Sequence, residues 1–134
     1  MSDLVAERGG STTDVLAALL HDAGEAYLVD LPHPLKHRSE LGPPYRRAEA
    51  LLEAAIAERF AVPPMDKAYK ALDRRLLATE RSLFTSTAGS WPELEGFAPL
   101  DLTIEPWPPE RAAREFLTRL ETLMQRRALT PHRP

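Results

Sequence analysis

The 134-residue sequence contains no cysteine. Disulfide bonds and thiolate metal sites are therefore excluded for this chain, and a bound metal would have to be held by His, Asp, Glu or water. No apolar run approaches the length of a membrane span. Residues 1–14 also lack a basic segment followed by an apolar one, so we expect no signal peptide. These features predict a cytoplasmic protein without membrane contact.

The chain has no excess of positive charge. Its formal net charge is −3 at pH 7, which argues against binding to a nucleic acid polymer through bulk electrostatics. A small anionic ligand is not excluded, because a local group of basic residues can oppose the overall sign. Such a group is present in the segment HPLKHR, which contains His33, Lys36, His37 and Arg38.

Strict alternation of apolar and polar residues, the pattern of a half-buried strand, is missing, as are internal repeats and low-complexity blocks. Apolar residues instead recur at helical spacing between glycine and proline pairs, which predicts an all-α protein. We expect one domain over residues 1–134, folded as a compact bundle of four or five helices, because this length suits a single core. Residues 128–134 are expected to fray.

The first predicted helix spans residues 12–23. Ser11 is its expected N-cap, and apolar residues follow it at intervals of three and four. About one further helical turn is predicted as far as Val29. Pro32 and Pro34 then predict extended backbone, because proline disfavours the α conformation of the residue before it.

Proline pairs open the three later helices, since proline is tolerated in a first helical turn. The pairs are Pro43-Pro44, Pro63-Pro64 and Pro108-Pro109. The residues predicted to face the core are Ala48, Leu51, Leu52, Ala55, Ile56 and Phe60, then Met65, Tyr69, Leu72, Leu76, Leu77 and Leu83, and finally Ala112, Phe116, Leu120, Leu123 and Met124. Residues 85–107 are interpreted as an ordered loop anchored by Trp91 and Trp107.

A His-Asp pair, His21 and Asp22, directly follows the apolar Leu19-Leu20. Both side chains need partners once they are desolvated, and a bound cation would satisfy them together. Glu25 lies four residues after His21, on the same helical face, and Asp30 follows where the chain leaves the helix. The cluster predicts an acidic site. A hydrogen-bonded His-Asp pair, a solvated Glu25 and an Asx turn at Asp30 are the alternative interpretations.

The segment LLHDAGEAYLVDLPHPLK, residues 19–36, resembles the central signature of small HD-domain phosphohydrolases. This group includes bacterial 5′-deoxynucleotidases and phage dATP-hydrolysing enzymes. KALDRRLLATE, residues 70–80, is similar to the helix that supplies the last aspartate of their site. IEPWPPE, residues 104–110, looks like the entry to their last helix. The resemblance covers nearly the whole chain and implies an HD-domain-like bundle.

The resemblance also implies a metal site. In such proteins a divalent ion is held by a first His, an adjacent His-Asp pair and a distant Asp. His21 and Asp22 match the pair, and Asp73 matches the distant aspartate. Without the resemblance, Asp73 beside Arg74 and Arg75 would be interpreted as a member of surface ion pairs, which contribute little.

The start of the chain departs from the family pattern. The family's first His lies about one helix upstream of the pair, and the alignment places Met1 at or next to it. A thioether is a poor ligand for hard divalent ions, so the resemblance implies a site that has lost its first His and binds Mn²⁺, Co²⁺, Mg²⁺ or a similar ion weakly. Truncation, a misplaced start codon and completion of the site by a neighbouring chain would each account for this.

Four further residues have roles implied by the resemblance. Glu25 and Asp30 match catalytic residues near the attacked phosphate, which position water or act as acid and base. Lys36 matches a basic position that faces the substrate phosphate, and we expect His33, close to it in sequence, to help offset the charge on the phosphoryl oxygens. Ordinary surface positions in a solvated basic loop are the alternative for Lys36 and His33.

The resemblance therefore implies a metal-dependent phosphohydrolase that acts on nucleotides or nucleoside phosphates and is weakened by loss of the first His. The alternative is a catalytically silent HD-fold module that binds a nucleotide or a partner chain. A purely structural helical module is disfavoured, because the charged cluster at residues 21–30 would be costly to bury. We also expect a homodimer or higher oligomer, since a missing N-terminal helix should leave apolar surface on helix 12–23 uncovered.

Overall fold

The computed structural model describes residues 1–86, 89 and 91–129, and within these ranges it contains helices and irregular segments but no strand. The α-helices are α1 (Ser2–Glu7), α2 (Thr12–Leu19), α3 (His33–Arg38), α4 (Gly42–Phe60), α5 (Lys67–Phe84) and α6 (Pro109–Leu129). The predicted all-α class is confirmed. None of the described helices is both long and apolar enough to span a membrane.

The core is centred on α2, which packs against α1 and α6, so the expectation that its apolar face is left uncovered is wrong. A capping box begins the helix: the Ser11 hydroxyl accepts a hydrogen bond from the Asp14 backbone N–H, and the Asp14 carboxylate accepts one from the Ser11 N–H. Two donors that would otherwise lack partners are thereby satisfied. The buried cluster comprises Val5, Val15, Leu16, Ala18, Leu20, Leu72 and Leu123. It therefore joins α1, α2, α5 and α6.

The prediction that the first helix continues to residue 23 is wrong, because α2 ends at Leu19. The Leu20 N–H bonds to the carbonyls of both Leu16 and Ala17, which tightens the last turn. A 3₁₀ helix, Ala23–Ala26, follows in place of the predicted helical turn to Val29. As a result, the intervening pair at positions 21 and 22 lies in a turn at the end of the core helix.

Residues 33–38 form α3, so the extended backbone predicted after Pro32 does not persist. Pro34 lies in the first turn, where its missing N–H costs no helical hydrogen bond. The N–H groups of Leu35 and Lys36 bond to the Pro32 carbonyl. The proline pair therefore starts a short helix that packs on α4.

α4 packs on the first 3₁₀ helix and α3, and much of its surface is exposed. Its predicted inward stripe divides into half-buried Leu52, Ile56 and Phe60 and exposed Ala48, Leu51 and Ala55. The prediction was therefore wrong for half of the stripe, since only one narrow face of the helix meets the body of the protein. The exposed half is available to other molecules.

α5 begins at Lys67, after the Asp66 carboxylate caps it by accepting a hydrogen bond from the Ala68 N–H at 2.7 Å. Leu72 faces the core. Other positions that were predicted to face inward on α5 and α6 are exposed, namely Leu77, Leu83, Ala112 and Phe116. The buried face of each of these helices is therefore narrower than the spacing of its apolar residues predicts.

The loop after α5 is tied back to that helix by polar contacts. The buried Thr79 hydroxyl accepts a hydrogen bond from the Leu100 N–H at 2.8 Å, and the Arg75 guanidinium donates to the Ala98 carbonyl at 3.0 Å. The prediction that tryptophans anchor the loop fails for the exposed Trp107. Most of the tail that was predicted to fray, residues 130–134, lies outside the described residues.

Candidate functional site

His21, Asp22 and Asp73 meet at one point in the structure. Nε2 of His21 lies 2.9 Å from Oδ2 of Asp22 and 3.3 Å from Oδ1 of Asp73. The first two residues lie in the turn after α2, whereas Asp73 comes from α5, where its neighbour Leu72 is buried in the core. Packing of α5 on the core therefore brings together the three residues that the resemblance implies as metal ligands.

The His21 imidazole is a cation in this arrangement. Burial is the largest single influence and lowers its pKa, but the hydrogen bonds and charges of Asp22 and Asp73 together outweigh burial and raise the pKa from 6.5 to about 9. The proton therefore lies between two carboxylates that would otherwise repel each other. Nδ1 of the same ring is buried without a hydrogen-bond partner among the described residues, which is unfavourable for a polar atom.

One imidazole and two carboxylates form a donor set that suits divalent ions such as Mn²⁺ and Co²⁺. Binding requires a neutral imidazole, so an ion would replace the proton on His21. Within the described part of the chain, no three His, Asp or Glu side chains are arranged as a preformed metal site; instead, both carboxylates contact His21. Asp22 and Asp73 are both partly exposed, which leaves their side chains room to separate around an ion.

A cleft of about 550 Å³ opens beside these three residues, within the range of about 300–1,000 Å³ that is typical of small-molecule sites. The end of α2 and the following turn contribute Ala17, Leu20, His21, Asp22 and Gly24. α4 contributes Ala50, Glu53, Ala54, Ile56 and Ala57. The loop 62–65 and the α5 residues Lys70, Asp73 and Arg74 complete the lining. The cleft is therefore mainly apolar along α4, where Glu53 is the charged residue, and charged along α5.

Glu25 and Asp30 were expected to lie near the attacked phosphate. They are not part of this lining, so the structure does not bring them into the cleft. Both are exposed. Partial burial raises the pKa of Glu25, and the nearby negative charges of Asp22 and Asp30 raise it further. Glu25 therefore lies in the electrostatic neighbourhood of Asp22 while remaining outside the space that Asp22 lines.

Lys36 and His33 also lie outside the cleft lining. Nζ of Lys36 is 2.6 Å from Oε1 of Glu49 and 5.7 Å from the ring centroid of Tyr45. The ring of His33 lies 4.5 Å from that of His37. The Lys36 contact joins α3 to α4, and its charge is already paired with a carboxylate.

The cationic side of the cleft was not predicted from the sequence. Lys70 and Arg74 lie on either side of Asp73 in the lining, and their mutual spacing of four residues was the available signal. Glu80, two turns beyond Asp73 on α5, was also missed. Partial burial raises the pKa of Glu80, and the charges of Asp73 and Asp22 raise it further.

The chain is similar to a protein from Escherichia coli (strain K12), whose name is "Uncharacterized protein YfdR". The two are 40% identical over 113 residues, which are 82% of this chain and 62% of the E. coli protein. The chain therefore spans less than two thirds of the length of this relative. No protein-family profile matches the chain, and no solved structure matches it significantly.

Proposed function

We propose that this chain is an HD-type, metal-dependent phosphohydrolase acting on nucleotides or nucleoside phosphates. The supporting observation is that the His21 imidazole contacts the carboxylates of both Asp22 and Asp73. The family resemblance had implied these three residues as ligands. All three also line an open cleft, whereas residues that only stabilise a fold have no need of one.

In this proposal His21, Asp22 and Asp73 hold a divalent ion such as Mn²⁺, Co²⁺ or Mg²⁺. When bound, the ion would supply Lewis-acid polarisation of a phosphoryl oxygen and activation of water. Three protein donors leave coordination positions for water and substrate. The neutral form of His21 is the binding form, so a proton must leave Nε2 before the ion is held.

Glu25 is the proposed proton-transfer group. Its pKa is raised by partial burial and by the charges of Asp22 and Asp30. It therefore retains a proton to higher pH than an ordinary glutamate, which suits general acid-base chemistry. Asp30 supports this role through its charge. The main role of Lys36 is to link α3 to α4 through its ion pair with Glu49, because this pair neutralises the charge of Lys36.

A cytoplasmic location and self-association belong to the same proposal. Exposed apolar residues are present on and near the first 3₁₀ helix and α4: Tyr27, Val29 and Leu51 are 78%, 75% and 74% exposed. Apolar side chains left open in this way favour contact with another protein surface. A second copy of the chain is the partner we propose.

A catalytically silent HD-fold module is the second candidate. The observation that favours it is that no preformed metal site is present in the part of the chain that the structure describes, where Asp22 and Asp73 both contact His21 instead. In this case a proton on His21 permanently balances Asp22 and Asp73. The cleft would then bind a nucleotide or a partner chain without turnover.

Phosphate release from deoxynucleoside monophosphates tests the two candidates. With Mn²⁺ or Co²⁺ present, the wild-type chain should release phosphate, and Asp22→Ala should not. Asp101→Ala changes an exposed aspartate outside the cleft and should retain activity. A folded protein that neither binds Mn²⁺ in calorimetry nor releases phosphate would support the silent module instead.

A further inference from the structure

The cleft has two unlike walls. The α5 wall presents Lys70, Asp73 and Arg74; Asp73 and Arg74 lie three and four residues after Lys70, on the same side of the helix as Lys70. The α4 wall presents Ala50, Ala54 and Ala57. These alanines are also spaced by three and four residues, and their small side chains leave the space between the helices open. The cleft therefore offers a charged α5 surface and a mainly apolar α4 surface, on which Glu53 is the charged residue.

Lys70 and Arg74 have no carboxylate partner among the described residues. The guanidinium of Arg74 lies 5.2 Å from the ring centroid of Phe97, a contact that orients the group without neutralising it. Lys36, by contrast, contacts Glu49 at 2.6 Å. Lys70 and Arg74 are thus able to pair with an incoming anion.

We propose that Lys70 and Arg74 bind the phosphate of a nucleoside monophosphate, whose base lies against the alanine wall of α4. A guanidinium donates two parallel hydrogen bonds to a phosphate, and an ammonium adds a mobile charge. Asp73 lies between the two cations in sequence, so a phosphate held by them lies next to the His21 site. This assignment rests on the proposed function and names the substrate class of the same cleft.

The composition of the lining favours one phosphate over three. Besides Lys70 and Arg74, the cleft is lined by three carboxylates, Asp22, Glu53 and Asp73. A triphosphate would bring several negative charges near these groups, whereas a monophosphate can be matched by the two cations. Ala50, Ala54 and Ala57 of α4, together with Met65, offer apolar contacts that suit the face of a base, and Glu53 is the charged residue that α4 contributes to the lining.

Calorimetric titration with deoxyadenosine monophosphate, in EDTA so that no metal contributes, tests the cationic wall. Lys70→Gln and Arg74→Gln should each raise the dissociation constant about tenfold or more, as expected for losing a hydrogen bond to a charged group. Lys67→Gln is the matched control, because Lys67 lies on the same helix outside the cleft. It should bind as the wild type does.

A second pair of variants tests the apolar wall. Ala54→Leu should fill the space for the base and weaken binding about tenfold or more. Ala55→Leu places the same side chain on the neighbouring exposed position and should leave binding unchanged. Deoxyadenosine, deoxyribose 5-phosphate and inorganic phosphate should each bind more weakly than the complete nucleotide, because each lacks one of the two contacts.

The outcomes separate this proposal from the proposed function. Wild-type affinity in the Lys70→Gln/Arg74→Gln double variant, or no binding by the wild type, would overturn the phosphate assignment, whatever the activity. Equal affinity for deoxyribose 5-phosphate would overturn the placement of the base. If nucleotide binding follows the expected pattern but no phosphate is released in Mn²⁺, the nucleotide site is supported and the proposed hydrolase activity is contradicted.

Discussion

Two of the cation–carboxylate clusters in the described part of the chain differ in what they leave unsatisfied. His21 contacts Asp22 and Asp73 beside an open cleft, and its Nδ1 has no partner among the described residues. The other cluster pairs Lys36 with Glu49 at 2.6 Å, away from the cleft. A cation and a carboxylate close together therefore do not identify a binding site. The His21 cluster differs from the Lys36 cluster because it lines an open cleft and because Nδ1 of His21 has no hydrogen-bond partner among the described residues.

The largest expected difference between the clusters is in metal binding. Asp73→Ala should weaken Mn²⁺ binding at least about 100-fold, more than is typical for a residue that only supports a ligand, and phosphate release should fall to background. Glu49→Gln should change neither quantity. Isothermal titration with Mn²⁺ and a phosphate-release assay measure both. Equal losses in the two variants would contradict the distinction drawn between the clusters.

Glu25 lies within electrostatic reach of both clusters, since the charges of Asp22 and Lys36 each act on its pKa. As a proton-transfer group, it should affect kcat without affecting metal affinity. We expect Glu25→Gln to lower kcat about 100-fold and to leave Mn²⁺ binding unchanged. Glu40→Gln, at an exposed position between α3 and α4, is the control. A kcat equal to that of the control would remove Glu25 from the mechanism.

The His21 cluster should also make stability depend on pH. Because the pKa of His21 rises from 6.5 to about 9 on folding, the metal-free folded state binds this proton more tightly than the unfolded state. The stabilisation is complete below pH 6.5 and is lost as the pH rises through 9. Since Asp22 is largely exposed, we expect a loss on the order of 1 kcal/mol.

Urea unfolding in EDTA, at about pH 6 and about pH 10, measures this loss. His21→Gln provides the background, since it retains every other group that titrates in this range. The wild type should lose more stability than the variant between the two pH values. The same pH dependence in both proteins would show that the His21 cluster is not the source.

The smallest expected effect belongs to the Lys36 cluster. A double-mutant cycle with Lys36→Met and Glu49→Gln should give a coupling free energy of about 1 kcal/mol or less, as is usual for partly exposed pairs. Phosphate release should change less than it does in Glu25→Gln. A loss of activity in Lys36→Met as large as that in Asp73→Ala would instead restore the phosphate-facing role that the resemblance implies for Lys36.

The features that the sequence predicted correctly depend on local chemistry. The start of α2 follows from the reciprocal hydrogen bonds of Ser11 and Asp14, and the start of α4 from its proline pair. The convergence of His21 with Asp73 was also anticipated, but through the family resemblance. Nothing in the local spacing indicates which residues of two distant helices come into contact.

Features that depend on tertiary packing could not be predicted in this way. Leu51 and Leu52 both fit the apolar spacing of the predicted helix. Leu51 is nevertheless exposed, because only one narrow face of α4 meets the body of the protein. Lys70 and Arg74 resemble ordinary surface residues until α4 is placed opposite them. The end of α2 at Leu19 depends on a tightened turn, and this turn cannot be predicted from the spacing of apolar residues.

The unequal burial of α2 and α4 has a consequence for hydrogen exchange and for the range of ligands. Amides in α2 should exchange only when the whole core opens, whereas those in the exposed outer half of α4 should exchange through smaller local openings. His21 directly follows the end of the buried α2, and the buried Leu72 fixes the position of the α5 side of the cleft. Ligands of different bulk would therefore be accommodated by small displacements of α4, while the separation of His21 and Asp73 is maintained.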